Sequence, residues 1–235
     1  MADEAGRRLR RDAALNRERV LAAAVSAMLR DGRNVPLAAI AAEAGVGVGT
    51  LYRRYPDREA LLQALEYRAY GLLTGILDNV AGRDLSGLDA VREFLSGSLA
   101  IAEQLVLPLH GAPPLVSAAA VEARRTINRR LEMFIERGRA DGSIRAAVNA
   151  TDIIVFSALI TQLLAHGPHW PALAARQLAI FVAGLAADSG DGGIPGPLIT
   201  SDDVEQAFAR PVPAPDAGVR SQHAGNITHH PAAGE

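Results

Sequence analysis

Cysteine is absent from the 235 residues, and so is lysine: all 24 basic residues are arginine. Without cysteine there are no disulfides and no thiolate metal sites, although the compartment is not fixed by that absence. Aromatic residues make up only 4 % of the chain, and strand-favouring residues are scarce beside alanine and leucine, so the composition points to an all-α fold. No apolar run is long enough to span a membrane, and the charged N-terminal stretch does not read as a signal peptide. A cytoplasmic protein with no membrane partner is therefore expected. Catalytic signatures are missing too. No serine or aspartate sits in a nucleophile elbow. His166 and His169 flank a Gly167-Pro168 break and so do not share a helix face, and His223, His229 and His230 lie near the C-terminal end. The expectation is a protein that is not an enzyme and holds no metal or cofactor.

What is present centres on residues 35–62, V-P-L-A-A-I-A-A-E-A-G-V-G-V-G-T-L-Y-R-R-Y-P-D-R-E-A-L-L. The spacing predicts a short helix over 37–44 with Leu37, Ile40 and Ala41 on one buried face. Gly45 suits the left-handed turn that ends it, and Val46 plugs that turn. A second short helix, about 47–55, turns Leu51 inward and leaves Val48, Gly49, Thr50, Tyr52 and Arg53 outward. Two short helices joined by a tight glycine turn make a helix-turn-helix, whose second helix enters the DNA major groove. Pro56 stops that helix, and Asp57 caps a longer one with Glu59 near its positive end. The glycines at 45, 47 and 49 do not make a dinucleotide loop. The residues before them are helical in pattern, and Tyr52 stands where the third glycine would be needed.

The run I-A-A-E-A-G-V-G-V-G-T-L-Y-R-R-Y-P-D-R-E-A-L-L resembles the DNA-binding segment of TetR-type transcriptional regulators, over about 16–65. Gly47 and Gly49 depart from the family pattern, which commonly has a hydroxyl or larger side chain there. They lower helix propensity and leave fewer side chains to read bases. The resemblance implies a homodimer that binds operator DNA and responds to a small molecule. It also implies about nine helices, a three-helix head followed by a larger effector-binding and dimerisation body.

Charge is uneven along the chain. Residues 1–60 hold 11 Arg against 8 acidic residues, and the remainder holds 13 against 18. A basic head on an acidic body suits a protein that meets a polyanion at one end. Residues 1–12, with Arg7, Arg8, Arg10 and Arg11, read either as a flexible arm reaching phosphates or the minor groove, or as a solvated leader. The head is then 13–57, its first helix (16–30) carrying Val20, Leu21, Ala24, Val25, Met28 and Leu29 as one stripe. The body is 58–187. Its helices are expected from 58 to about 80, then over 88–106, 115–139, 151–165 and 171–187. The last 48 residues, 188–235, contain 7 Gly and 6 Pro and read as disordered, with a transient helix at 202–209.

Binding residues follow from this arrangement. Thr50 and Tyr52 offer hydroxyls to phosphate oxygens, and Arg53 or Arg54 can pair with phosphate or with guanine O6 and N7. Arg58, opening the long helix, is placed as a phosphate clamp, and Val48 and Gly49 for close backbone approach or a thymine methyl. For the effector, Gln104, His110, Asn128, Gln162 and His166 are candidate polar liners, with Phe94 and Phe134 as walls. For the dimer, the two last body helices each show two apolar sides, and Ile154, Ala158, Leu178, Val182 and Leu185 are assigned to the outer one. The expected function is a ligand-responsive regulator, a repressor binding a near-palindromic operator as a dimer. The alternative is an all-α enzyme or small-molecule carrier containing a helix-turn-helix-like corner. The outward Thr50, Tyr52, Arg53 and Arg58 set favours the regulator, because a structural corner would not need it.

Overall fold

A computed structural model of the chain describes residues 2–32, 34–105, 117–162, 169–188 and 194–209. Among these residues there are nine α-helices and no strand: α1 (Ala2–Asp31), α2 (Leu37–Glu43), α3 (Val48–Arg54), α4 (Arg58–Ala81), α5 (Gly87–Ala100), α6 (Ala118–Ala140), α7 (Ala150–Gln162), α8 (Trp170–Leu185) and α9 (Ser201–Ala209). The helix starts have local causes. The side chains of Asp57, Ser86 and Ser117 accept from the backbone N–H of Ala60, Asp89 and Ala120, capping α4, α5 and α6. Gly45, at φ 65°, turns the chain between α2 and α3, with the Val46 N–H donating back to the Ala41 carbonyl at 3.0 Å.

Two apolar cores result. In the head, Leu21 and Ala24 of α1, Ile40 and Ala41 of α2 and Leu51 of α3 pack with Leu61 and Leu65 of α4. In the body, Leu77, Phe94, Leu95, Leu131, Phe134, Ile135 and Ile153 form the second core, closed by Leu178, Val182 and Leu185 of α8. The head core thus runs past the expected boundary at 57, because the first turns of α4 belong to it. The same 24-residue helix then continues into the body, unbroken through Gly71 and Gly75, and spans about 36 Å. α5 lies at the centre of the body, against α4, α6, α7 and α8. Its start crosses α6 so closely that a Cβ on Gly87 would fall 2.1 Å from the Gly138 nitrogen.

Several boundaries differ from the sequence expectation. α1 begins at Ala2, so the stretch expected as an arm is helical: no proline interrupts 2–31, and alanine, leucine and arginine favour helix. α5 ends at Ala100 and passes into one 3-10 turn, Ala102–Gln104, instead of reaching Val106. Part of the segment expected to be disordered is ordered. Residues 194–209 lie against the body, with Asn149 Nδ2 donating to the Ile199 carbonyl at 2.8 Å. The helix expected there as transient has a good start, in which Thr200 N–H donates to Asp203 Oδ2 at 2.8 Å and Asp202 and Asp203 occupy the first turn. Residues 163–165 of the expected fourth body helix, and 210–235, lie outside the described residues. No helix among the described residues is long and apolar enough to cross a membrane.

Candidate nucleic-acid interface and ligand cavity

α3 is seven residues long and sits on the head through one side chain, Leu51, which is buried. Everything else on it faces out. Val48, Gly49, Thr50, Tyr52, Arg53 and Arg54 are exposed, including 46 % of Tyr52, a large residue that a purely structural helix would cover. Arg53 folds back along the helix, its Nη2 donating to Thr50 Oγ1 at 3.1 Å, so the two polar groups stand together. Arg58 is the exception in the set. It is half-buried, and its Nη2 donates to the Val35 carbonyl at 2.5 Å, tying α4 to the residues before α2. Through this bond the guanidinium braces the head, at the helix start where the sequence places a phosphate clamp.

A head–body link lies nearby. Arg68 of α4 is largely buried and donates to Glu18 of α1 at 2.5 Å and to Gln104 of the 3-10 turn at 2.8 Å. Gln104, expected in the ligand pocket, is therefore the outer neighbour of a pocket residue, Leu105, and its side chain holds Arg68 instead.

Among the described residues the body contains an apolar cavity of about 100 Å³, open at its mouth. Leu73, Phe94, Leu105, Ile127, Ile154 and Val155 supply most of its wall. Phe94 and Asn128 line it as expected from the sequence. Phe134 does not; it is fully buried in the core on the α5–α6 side. The Gln162 side chain, His110 and His166 lie outside the described residues. Ile154, expected at a dimer interface, lines the cavity instead.

The polar end of the cavity was not foreseen. Arg124 of α6 donates through Nε and Nη2 to both oxygens of Glu205 of α9, at 2.5 and 2.7 Å, and through Nη1 to the Tyr70 hydroxyl at 3.2 Å. Tyr70 in turn donates to Glu66, which is 1 % exposed. Burial holds the Tyr70 hydroxyl well above its ordinary pKa, so it remains a donor. Thr151, Ser157 and Thr161 of α7 and Ser201 of α9 add hydroxyls around the wall. A signal for this cluster existed. Glu66 and Tyr70 interrupt the apolar stripe of α4 at i, i+4, and Arg124 continues the Ile127–Leu131 stripe of α6. Charges on a core-facing stripe are buried only when paired.

The expected dimer faces are reversed. Ala158, Leu178, Val182 and Leu185 are buried within the subunit, and the outward apolar residues are Val155, Leu159, Leu173 and Ile180, of which Leu159 is 60 % and Ile180 55 % exposed. Both sides of α7 and α8 are apolar, so periodicity alone could not say which side meets α5. Beside the outward residues, Phe156 and Phe181 stack with ring centroids 3.7 Å apart and fix α7 against α8.

Comparison with known proteins agrees with this architecture. The family model described as bacterial regulatory proteins, tetR family, matches residues 20–65, the head and the first turns of α4. A crystal structure of a TetR transcriptional regulator from Streptomyces coelicolor is 29 % identical, with a TM-score of 0.52 over 72 % of this chain and 98 % of that one. A TetR transcription regulatory protein from Mycobacterium vanbaalenii is 25 % identical, with a TM-score of 0.55 over 76 % and 99 %. AibR, solved in complex with isovaleryl coenzyme A and operator DNA, shares the fold at 16 % identity, with a TM-score of 0.58 over 73 % and 98 %. No curated protein sequence matches the chain. Residues 20–65 thus form a helix-turn-helix of the tetR type, on a helical body with the architecture of solved TetR regulators.

Proposed function

We propose that the chain is a homodimeric repressor that binds a near-palindromic operator through the outward face of α3 and is released by a small molecule held in the body cavity. In this reading residues 13–57, with the first turns of α4, are the DNA-binding domain, and 58–187 carry effector and partner. The observation that carries it is the α3 surface: one buried anchor, Leu51, under an exposed Thr50, Tyr52, Arg53 and Arg54. That pattern supports phosphate contacts from Thr50 and Tyr52 and phosphate or guanine contacts from Arg53 and Arg54. Neighbours of the same fold support the ligand half of the reading, since AibR was solved with an acyl coenzyme A and operator DNA together. The cytoplasm is the compartment this activity requires.

Release needs a route from cavity to head. Leu105 lines the cavity, the adjacent Gln104 holds Arg68, and Arg68 holds Glu18 on α1. A ligand that displaces Leu105 would shift this chain of contacts and favour a head spacing that misses successive major grooves.

The test is duplex binding across a salt series. Affinity should fall steeply with salt, because phosphate contacts release counterions. Tyr52→Phe should weaken all sequences alike, by about 1.5–3 kcal/mol if its hydroxyl donates to a phosphate. Arg53→Ala should also relax sequence preference, by about 1–3 kcal/mol if it reaches a base. Unchanged affinity in both folded variants would refute the α3 assignment.

A further inference from the structure

Leu73, Leu105, Ile127, Ile154 and Val155 make much of the cavity wall apolar, and its polar end holds a guanidinium whose principal partner belongs to the last described helix. Arg124 and Glu205 meet fork to fork, at 2.5 and 2.7 Å, which is the geometry a free carboxylate adopts on arginine. Little else holds Glu205 in place. α9 is nine residues long, too short to be stable by itself. The residues leading into it, Ile194, Leu198 and Ile199, are 45, 58 and 47 % exposed, so they contribute little burial. Among the described residues, half-buried Ser201 and Val204 on the cavity and the Asn149–Ile199 hydrogen bond add to the seating of α9.

Formal charge points the same way. Arg124, Arg125 and Glu205 are the charged residues on the cavity wall, and Glu66 backs Arg124. Withdrawing Glu205 removes the wall's carboxylate and leaves its arginines beside Leu73, Phe94, Ile127 and Ile154. Such a site suits one negative head and a hydrocarbon body.

We propose that α9 is a displaceable lid whose Glu205 occupies the effector's anion subsite, and that the effector is an amphiphilic monocarboxylate whose head replaces Glu205 on Arg124. The inference rests on the reading of this cavity as the effector site. Binding of the carboxylate and seating of α9 are then mutually exclusive at Arg124, so the lid lowers apparent affinity by the fraction of time it is open.

The full chain should be titrated calorimetrically with hexanoate, decanoate and palmitate, and with hexanol, decanol and hexadecanol as neutral matches. At least one carboxylate should bind about tenfold or more tightly than its alcohol. Glu205→Gln should raise carboxylate affinity severalfold and leave alcohol affinity unchanged, because only the competing anion is removed. Amide exchange over 199–209 should accelerate when the carboxylate binds to the wild-type chain. Arg124→Gln should abolish the carboxylate advantage and Arg124→Lys should retain part of it; if either fails to fold, the Glu205→Gln arm decides alone. No carboxylate preference in the wild type, or unchanged or weaker carboxylate binding in Glu205→Gln, would overturn the proposal. Duplex affinity is read in the same samples. DNA release by the alcohol and carboxylate alike would overturn the anion subsite and leave the regulator standing. Carboxylate binding as described without DNA release would instead overturn the effector role of the cavity.

Discussion

At the scale of single residues, Gly49 separates folding from recognition. It is the second residue of α3, with ordinary helical backbone, and nothing comes within 4 Å of the position a Cβ would take. The fold gains nothing from a glycine there, and helix propensity loses about 1 kcal/mol relative to alanine. Gly49→Ala should therefore raise the stability of the head by up to about that amount, seen as a higher urea midpoint. If α3 approaches DNA closely at this position, the same variant should weaken duplex binding. A variant that gains stability and binds as well as the wild type would show that Gly49 stands away from the DNA. Arg58 teaches the opposite lesson. Its sequence position, basic and at a helix start, is that of a phosphate ligand, and the structure adds a bond from its Nη2 to the Val35 carbonyl. Sequence shows which side chains leave a helix start; it does not show what the preceding loop brings to meet them.

At the scale of elements, the head was legible because short-range chemistry sets it. Gly45, Leu51, Pro56 and Asp57 specify turn, anchor, stop and cap within a few residues of one another, and the helix boundaries follow. The body was legible only in outline. Which side of α7 and α8 is buried depends on α5, distant in sequence, and two apolar sides gave periodicity nothing to choose by. α9 was legible as a transient helix at 202–209, but its seating on the body was not, because Glu205 meets Arg124, 81 residues away in sequence. One interelement contact was invisible for the same reason, namely the α5–α6 crossing at Gly87 and Gly138. A methyl at 87 would meet the backbone of α6 at 2.1–2.5 Å, and backbone cannot rotate away as a side chain can. Gly87→Ala should cost about 3 kcal/mol or more. Thermal unfolding should show the loss, with DNA binding by the folded fraction intact below the transition. An unchanged melting temperature would show that α5 and α6 can separate freely.

At the scale of the whole molecule, the outward face of α7 and α8 is the part the subunit leaves unfinished. Leu159 and Ile180 are more than half exposed beside Val155 and Leu173, and Ala179, Ala183 and Gly184 are exposed small residues that would let a partner helix approach closely. Two such faces related by a two-fold axis would bury each other. Leu159→Asp and Ile180→Asp should each yield folded monomers by light scattering, with weakened operator binding. Leu178→Asp, which places a charge in the core, should instead unfold the body. Dimers that survive both outer substitutions would place the interface elsewhere.

Two heads on one duplex are the centre of this account, and selection from a random duplex pool by the full-length chain tests them together. The enriched sequences should share a two-fold symmetric site whose half-sites are centred about 34–36 Å apart, or a multiple of that, and Arg53→Ala should degrade both halves equally. Enrichment of a single asymmetric half-site, or of no sequence at all at low salt, would contradict it.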